Sequence, residues 1–350
     1  MNLMSIFQFY CFSWLLFCGR SETLQGNVTR IISSENHLPL CVDNLLEQQK
    51  CDYPKLGKCF SDIRLSSSKI YQQNSCKLLQ YNSKHVVLCL DAINNEKCYR
   101  NDCKIKKQKT YRNFSNKLHF VFMGDSRIRQ QFFNFLKLIP DYDMKTKPNP
   151  MPDFIHEDVD FISDILGIRV SFYWRPLITN NLTDTLRLWV SPNETTRPFM
   201  IVLSMELHHM LKNNGGGYQL YLNKLKELSS ILGQFGNISQ IIWLHQYPTI
   251  DPKHNEIYSE KIYRYNEDIR QILKIYSGIR IWDSSNRFAV EYIRGCAVYS
   301  QRESLGDFSL QYMTCRDFIH TGYTALSFAT QLLYNDFCNK KLYNNIRSST

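Results

Sequence analysis

Short apolar runs alternate with helix-like segments from residue 118 onward, and this alternation constrains the fold more than any other feature. It is typical of β-α-β units, in which neighbouring strands run parallel and helices cover the sheet. The pattern predicts strands at Leu118–Met123, Ile168–Tyr173, Phe199–Leu203, Ile241–Leu244 and Ile279–Ile281. The apolar spacing predicts helices at Ile128–Ile139, Tyr218–Leu232, Glu260–Tyr276 and Tyr323–Asp336. We therefore expect an α/β domain with a mainly parallel sheet over residues 118–340, followed by a tail at 341–350.

Two segments between these elements predict surface loops. Lys145–Asp153 is rich in proline, and Asn180–Pro198 carries two Asn-x-Ser/Thr sequons. Proline, asparagine and serine favour turns because they fix φ or hydrogen-bond to their own backbone. We expect neither segment to contribute to the sheet.

The first 19 residues carry no charge and are mostly apolar, and Arg20 and Ser21 follow them. This is the length of a secretory signal peptide or of a short signal-anchor, which we assign to residues 1–22. No later stretch reaches the roughly 18 apolar residues of a membrane-spanning helix. The sequence thus predicts a protein of the secretory pathway, in the Golgi lumen or secreted. Membrane attachment is expected only through this N-terminal segment.

Cysteine usage agrees with an oxidising compartment. Of the 12 cysteines, two lie in the leader, seven lie within residues 41–103, and three lie late, at Cys296, Cys315 and Cys338. Because seven is odd, full pairing needs at least one bond between the early group and the C-terminal end. We expect Cys296 to pair with Cys315, and Cys338 with an early cysteine. The early group predicts a disulfide-rich lobe over residues 23–117, and the spacing predicts no metal site, because no C-x₂-C pair occurs.

The net charge and the sequons indicate which class of partner the protein would bind. The formal net charge is +10, which suits an acidic partner. The sequons lie at Asn27, Asn113, Asn181, Asn193 and Asn237. Together with the secretory leader they argue against a nucleic-acid partner and leave an anionic glycan or a membrane surface as the acidic partner.

Gly124-Asp125-Ser126 follows the first predicted strand, where ligands gather at the carboxyl edge of a parallel sheet. Gly124 permits a tight turn, and Ser126 would begin the next helix with its hydroxyl exposed. On spacing alone an ordinary helix cap is the better interpretation, because Asp and Ser are preferred there. A nucleophilic serine would need a base from elsewhere in the chain.

Asp317 and His320 stand three residues apart just before the last predicted helix. A carboxylate in that position can hold one nitrogen of the imidazole and fix its tautomer, so that the other nitrogen faces the serine. The remaining eight histidines lack this combination.

The block Val121–Gln130 and the Asp317-x-x-His320 pair resemble the SGNH (GDSL) hydrolases, and more narrowly their PC-esterase branch. Within that branch the chain is most similar to the lumenal domain of animal sialate O-acetyltransferases, also at Glu260–Ile262 and Tyr334–Asn339. The resemblance implies the three-layer, flavodoxin-like fold of SGNH hydrolases. It also implies a catalytic triad of Ser126, His320 and Asp317.

The family supplies oxyanion donors from a glycine N–H and an asparagine side chain, and this chain departs from that pattern. The corresponding candidates are the Ser204 N–H and the Gln246 amide. Arg127 and Arg129 point about 200° apart on a helix and cannot both face one ligand. One is expected to bind the carboxylate of an acidic sugar, with Arg127 favoured over Arg129 for this role, and the other to make a structural ion pair.

The resemblance implies a secretory-pathway serine enzyme that moves O-acetyl groups on glycans through a covalent acetyl-serine. No bound cofactor is expected, although a transferase would use an acetyl donor such as acetyl-CoA. The full transferases continue into a bundle of membrane helices, which is not found in this chain. A stand-alone transferase, an acetylesterase and a fragment therefore remain open. The alternative function is a non-catalytic glycan-binding module on the same fold.

Overall fold

A computed structural model describes residues 78–100, 117–152, 156–194, 196–211, 217–249, 257, 259–300 and 319–347. For the helix ends 95–100, 297–300 and 339–347 it describes the backbone alone. The helices are α1 (Ser83–Arg100), α2 (Ser126–Leu136), α3 (Asn180–Val190), α4 (Tyr218–Gly236), α5 (Ser259–Leu273), α6 (Asn286–Ser300) and α7 (Tyr323–Arg347). The strands are β1 (Leu118–Gly124), β2 (Lys145–Lys147), β3 (Val159–Ser163), β4 (Ile168–Trp174), β5 (Met200–Ser204), β6 (Gln240–Leu244) and β7 (Ile279–Trp282). A short 3₁₀ helix at Leu207–Met210 follows β5.

The described strands form one sheet in the order β2-β3-β4-β1-β5-β6-β7. The strands from β4 to β7 pair in parallel, whereas β3 pairs antiparallel with β4 and β2 antiparallel with β3. Numbered along the chain, the parallel strands lie in the order 2-1-3-4-5, which is the doubly wound, flavodoxin-like order. The prediction of an α/β fold with a mainly parallel sheet is confirmed. The disulfide-rich lobe at 23–117 falls largely outside the described residues.

Strand β1 is buried along its whole length and separates two apolar cores. Val121 and Met123 face the core under α3, α4 and α5, and Phe120 and Phe122 face the core under α1, α2 and α7. Successive side chains of a strand point to opposite faces, so a strand covered on both sides reads as a continuous apolar run. This is why the run at Leu118 was recognisable from the sequence.

The predicted strands are confirmed to within one residue at each end, and each predicted helix is present with shifted bounds. Both loop predictions were wrong in part. Residues 145–147 form strand β2, which extends the sheet by pairing with β3. Residues 180–190 form helix α3, whose Leu182, Leu186 and Trp189 are buried against the sheet.

The segment before β1 packs against the last helix. Asn335 of α7 exchanges two hydrogen bonds with the backbone of Leu79, at 2.9 and 2.7 Å. Gln331 does the same with Tyr81, at 2.6 and 2.9 Å. A disulfide joins Cys89 of α1 to Cys338 of α7.

That disulfide confirms the prediction that Cys338 pairs with an early cysteine. Cys296 is also disulfide-bonded, and its predicted partner, Cys315, lies outside the described residues. The sequon residues Asn181, Asn193 and Asn237 are exposed. The other two sequons lie outside the described residues. Over the described ranges, no helix combines the length and the apolar character needed to cross a bilayer.

Candidate active site

Ser126 is the first residue of α2, directly after β1 and Gly124. Asp125 caps the helix, and its Oδ1 accepts the Arg127 N–H at 2.9 Å. A Cβ atom on Gly124 would lie 2.0 Å from the Ser204 carbonyl oxygen, so only glycine lets β1 and β5 approach this closely. The turn therefore sits between β1 and β5, which is the switch point of this sheet order, where doubly wound folds bind ligands.

The structure brings Ser126 and His320 together. The distance between Ser126 Oγ and His320 Nε2 is 2.7 Å, although the residues are 194 positions apart in sequence. Ser126 is partly exposed, so a substrate can reach its hydroxyl. An imidazole nitrogen at this distance can accept the hydroxyl proton when the oxygen attacks. Asp317, the proposed third member, lies outside the described residues.

The two neighbours of His320 in the chain are both held by a clamp that consists of Arg127 and Tyr247. Arg127 Nε donates to the Ile319 carbonyl at 2.9 Å, and the Thr321 N–H donates to the Tyr247 hydroxyl at 3.0 Å. The guanidinium stacks on the Tyr247 ring, 3.6 Å from its centroid. It also donates through Nη1 to the Tyr247 carbonyl at 2.6 Å. The clamp fixes the backbone on each side of the histidine.

Arg127 is 4% exposed, and the hydrogen bonds just described commit it to protein acceptors. Arg129 differs, because it remains partly exposed and its guanidinium carbon lies 5.7 Å from the centre of the Trp174 ring. Burial lowers the pKa of Arg129, and the Asp125 charge opposes this. The structure thus buries Arg127, which the sequence favoured as the ligand-binding arginine, and leaves Arg129 partly exposed.

The candidate oxyanion residues Ser204 and Gln246 belong to a buried polar network beneath the turn. Gln246 Nε2 donates to Ser204 Oγ at 2.7 Å and lies 3.5 Å from Asp125 Oδ2, and Gln246 Oε1 accepts from Arg127 at 2.7 Å. Asn266 holds the Gln246 backbone with two hydrogen bonds, at 3.0 and 2.7 Å. The amide therefore serves the protein itself, and its contacts favour a supporting role.

Glu206 completes this network and was missed by the sequence analysis. Its carboxylate accepts from Ser204 Oγ at 2.7 Å, from the Met205 N–H at 3.1 Å and from Trp243 Nε1 at 2.8 Å. Burial raises the pKa of both Glu206 and Asp125, and in each case hydrogen bonds oppose the shift. The only feature of the sequence that could have indicated Glu206 is its position two residues after β5, at the carboxyl edge of the sheet.

Four side chains, which we call the Trp174 wall, lie near the Ser126–His320 pair, because His208 interacts electrostatically with Asp125 and His320, and Arg129 with Asp125. It comprises Trp174 at the end of β4, His156, His208 and Arg129. The His156 ring stacks on Trp174 with centroids 4.4 Å apart, and His208 meets it edge-on at 5.7 Å. Burial lowers the pKa of His208, and the charges of Asp125 and His320 also act on it. The wall and the catalytic pair therefore share one electrostatic environment.

Behind the clamp lies a cavity of about 50 Å³, and apolar side chains of α7 form part of its lining. His245, Trp282 and Thr321 also line it. His245 Nε2 is buried and has no hydrogen-bond partner in the described part of the chain. Burial lowers the pKa of His245 to about 3, so the ring is neutral at physiological pH.

His209 is likewise structural, because its Nε2 accepts the Ile178 N–H at 2.8 Å and its pKa is lowered by burial to about 4. Within the described ranges, no three His, Cys, Asp or Glu side chains come together as a metal site.

Comparison with known proteins gives a distant similarity to an acetyltransferase. No protein-family model matches the chain. The N-acetylneuraminate (7)9-O-acetyltransferase of Danio rerio is 25% identical to it over 240 residues. That similarity covers 67% of this chain and 26% of the fish protein, so the chain spans about a quarter of that protein's length.

Proposed function

We propose that this protein is a serine enzyme of the secretory pathway that transfers or removes O-acetyl groups on glycans, with sialylated sugars as its substrates. The observation that carries the proposal is the 2.7 Å contact between Ser126 Oγ and His320 Nε2 at the carboxyl edge of the sheet. The distant similarity to an N-acetylneuraminate O-acetyltransferase supports the choice of acetyl chemistry and of sugar.

In the first half-reaction, His320 Nε2 accepts the Ser126 hydroxyl proton as Oγ attacks the acetyl carbonyl carbon. The tetrahedral intermediate collapses, the bond to the leaving group breaks, and His320 returns the proton to that group. The product is acetyl-Ser126. Asp317, three residues before the base, is proposed to hold the imidazole in the productive tautomer.

In the second half-reaction, a hydroxyl group of the acceptor gives its proton to His320 and attacks the acetyl-serine. Collapse of the intermediate forms the new ester and returns the proton to Ser126 Oγ. With a sugar hydroxyl the enzyme is a transferase, and with water it is an esterase. The oxyanion of both intermediates needs hydrogen-bond donors, each worth roughly 3 kcal/mol. The Ser126 N–H at the start of α2 is the donor that we propose first.

The clamp supports this mechanism. Because Arg127 and Tyr247 hold the backbone at Ile319 and Thr321, His320 meets the serine without first ordering its loop. Preorganisation of this kind lowers the barrier, since the catalytic groups are already in place when the substrate arrives.

The test is a rapid-mixing experiment with p-nitrophenyl acetate. We expect a burst of p-nitrophenol equal to the enzyme concentration, and mass spectrometry should find one acetyl group on the peptide that contains Ser126. Ser126→Ala and His320→Ala should abolish the burst. Ser230→Ala, an exposed serine of α4, should keep it.

An undiminished burst in Ser126→Ala would refute the proposal. If the wild-type protein retains sialylated glycans on an array but hydrolyses and transfers no ester, the protein is a glycan-binding module instead. Secretion is tested by expression in animal cells, where removal of N-glycans should lower the mass of the exported protein.

A further inference from the structure

Ser126 and Arg129 lie three residues apart on α2 and therefore share one face of the helix. Side chains with this spacing have Cβ atoms about 5–6 Å apart. Arg127 lies on a different face and is buried in the clamp. Of the two arginines after the nucleophile, Arg129 is thus the one on the side that a substrate approaches.

Arg129 is part of the Trp174 wall, which places cationic and imidazole groups along one border of this face. Trp174 ends β4 in register with Gly124, so the wall rises from the same sheet edge as the turn that carries Ser126. His156 and His208 pack against the indole from two directions, as a stack and as an edge contact. The wall is built from four separate segments of the chain, and its His208 lies within electrostatic reach of Asp125 and His320.

The charge of the wall suits an anion. Arg175 follows Trp174 but is neutralised, because its Nη1 and Nη2 bind the two oxygens of Asp158 at 2.7 and 2.8 Å. Arg129 is the permanent cation of the wall, and it is partly withdrawn from water, which strengthens its attraction for a negative charge. Its planar guanidinium matches a carboxylate in a two-pronged hydrogen bond.

We propose that the Trp174 wall is the acceptor subsite and that Arg129 binds the carboxylate of an acidic sugar there, presenting a sugar hydroxyl to acetyl-Ser126. This inference rests on the proposed function for the reaction, but not for the binding. It assigns the two arginines different tasks: Arg127 positions His320, and Arg129 selects the acceptor.

The experiment compares two acceptors that differ by one charge: the methyl α-glycoside of N-acetylneuraminic acid and the methyl ester of its carboxylate. Acetyl transfer from p-nitrophenyl acetate is measured for wild type, Arg129→Gln and Arg129→Lys. Arg187→Gln is the matched control, because it removes one arginine charge from the exposed surface of α3.

We expect Arg129→Gln to raise KM for the acid by about 10- to 100-fold, the value of a charged hydrogen bond. The rise in KM for the ester should be much smaller, because the ester lacks the negative charge. Arg129→Lys should recover part of the loss, because it restores the charge without the planar fork. Arg187→Gln should behave as wild type with both acceptors.

Three results overturn the inference, and the first two concern Arg129→Gln. Equal losses of kcat with the acid, the ester and water would make Arg129 a structural partner of Asp125. A rise in KM for an acetyl donor that carries phosphate groups, such as acetyl-CoA, with no rise for the acid acceptor, would make the wall a donor site.

Binding of the two glycosides to Ser126→Ala, monitored by saturation-transfer NMR, separates this question from catalysis. Preference for the acid that is lost in Ser126→Ala/Arg129→Gln supports the subsite even if no acetyl chemistry is found. An active enzyme that does not distinguish acid from ester refutes the subsite alone.

Discussion

Replacement of Arg127 by lysine tests whether the clamp positions the base. The guanidinium donates to Ile319, Gln246 and Tyr247 and stacks on the Tyr247 ring. A single ammonium group cannot reach all the acceptors that the Nε and Nη1 donors reach, so Arg127→Lys should lose at least the bond to Ile319 and the stacked contact. A hydrogen bond to a charged group is worth about 2 kcal/mol and a desolvated cation–π contact about 1 kcal/mol.

The expected loss of folding free energy is therefore about 3 kcal/mol, or roughly 6–12 °C in melting temperature for a domain of this size. Because the Ile319 carbonyl lies next to His320, kcat for p-nitrophenyl acetate should also fall by about 10- to 100-fold. The assay combines thermal unfolding with steady-state kinetics, measured well below both melting temperatures.

Arg169→Lys is the matched control for this experiment. Arg169 makes a two-pronged pair with Asp160, at 3.2 and 2.7 Å, near the opposite end of β4 from Trp174. This variant should lose stability and keep its kcat. The reasoning is refuted if Arg127→Lys, like this control, becomes less stable but retains the kcat of the wild type.

Two further predictions concern the turn and a buried histidine. In Gly124→Ala the new Cβ would lie 2.0 Å from a β5 carbonyl oxygen, so denaturant unfolding should report a loss of about 3 kcal/mol, with loss of burst activity. Gly217→Ala, whose Cβ meets nothing within 4 Å, is the control, and equal losses in both would contradict the close-approach argument. For His245, the folded pKa of about 3 lies below its usual 6.5, so the unfolded chain binds the proton first as the pH falls. Between those values this group alone should lower the free energy of unfolding by about 1.4 kcal/mol for each unit that the pH falls. In His245→Gln the plot of this free energy against pH, measured by urea unfolding, should be less steep by that amount. An unchanged slope would show that the ring is protonated in the folded protein.

The sequence predicted those strands and helices whose own residues show the apolar pattern, without reference to a partner segment. The five parallel strands are buried on both faces, and their apolar runs need no partner to be recognised. β2 is different, because Lys145–Lys147 is polar and becomes a strand only through its pairing with β3. Helix α3 was obscured by the sequons at its two ends, although Leu182, Leu186 and Trp189 follow a helical spacing.

The residues of the candidate site likewise differ in whether the local sequence marks them. Gly124 and Ser126 were visible because a turn and a strand end mark them, and His320 was visible through its distance from Asp317. Tyr247 carries no such local mark, since its role depends on contacts with residues far away in the chain. The same is true of the Trp174 wall, whose members come from β4, the segment before β3, the 3₁₀ helix and α2.

The disulfide between Cys89 and Cys338 makes a covalent ring of the chain between them. That ring contains every strand of the described sheet, together with Ser126 and His320. A protease that cuts one peptide bond anywhere between the two cysteines therefore releases nothing, because both pieces stay attached through sulfur. Such a nicked molecule would migrate as a single species until a reductant separates its halves, and it could retain both members of the catalytic pair.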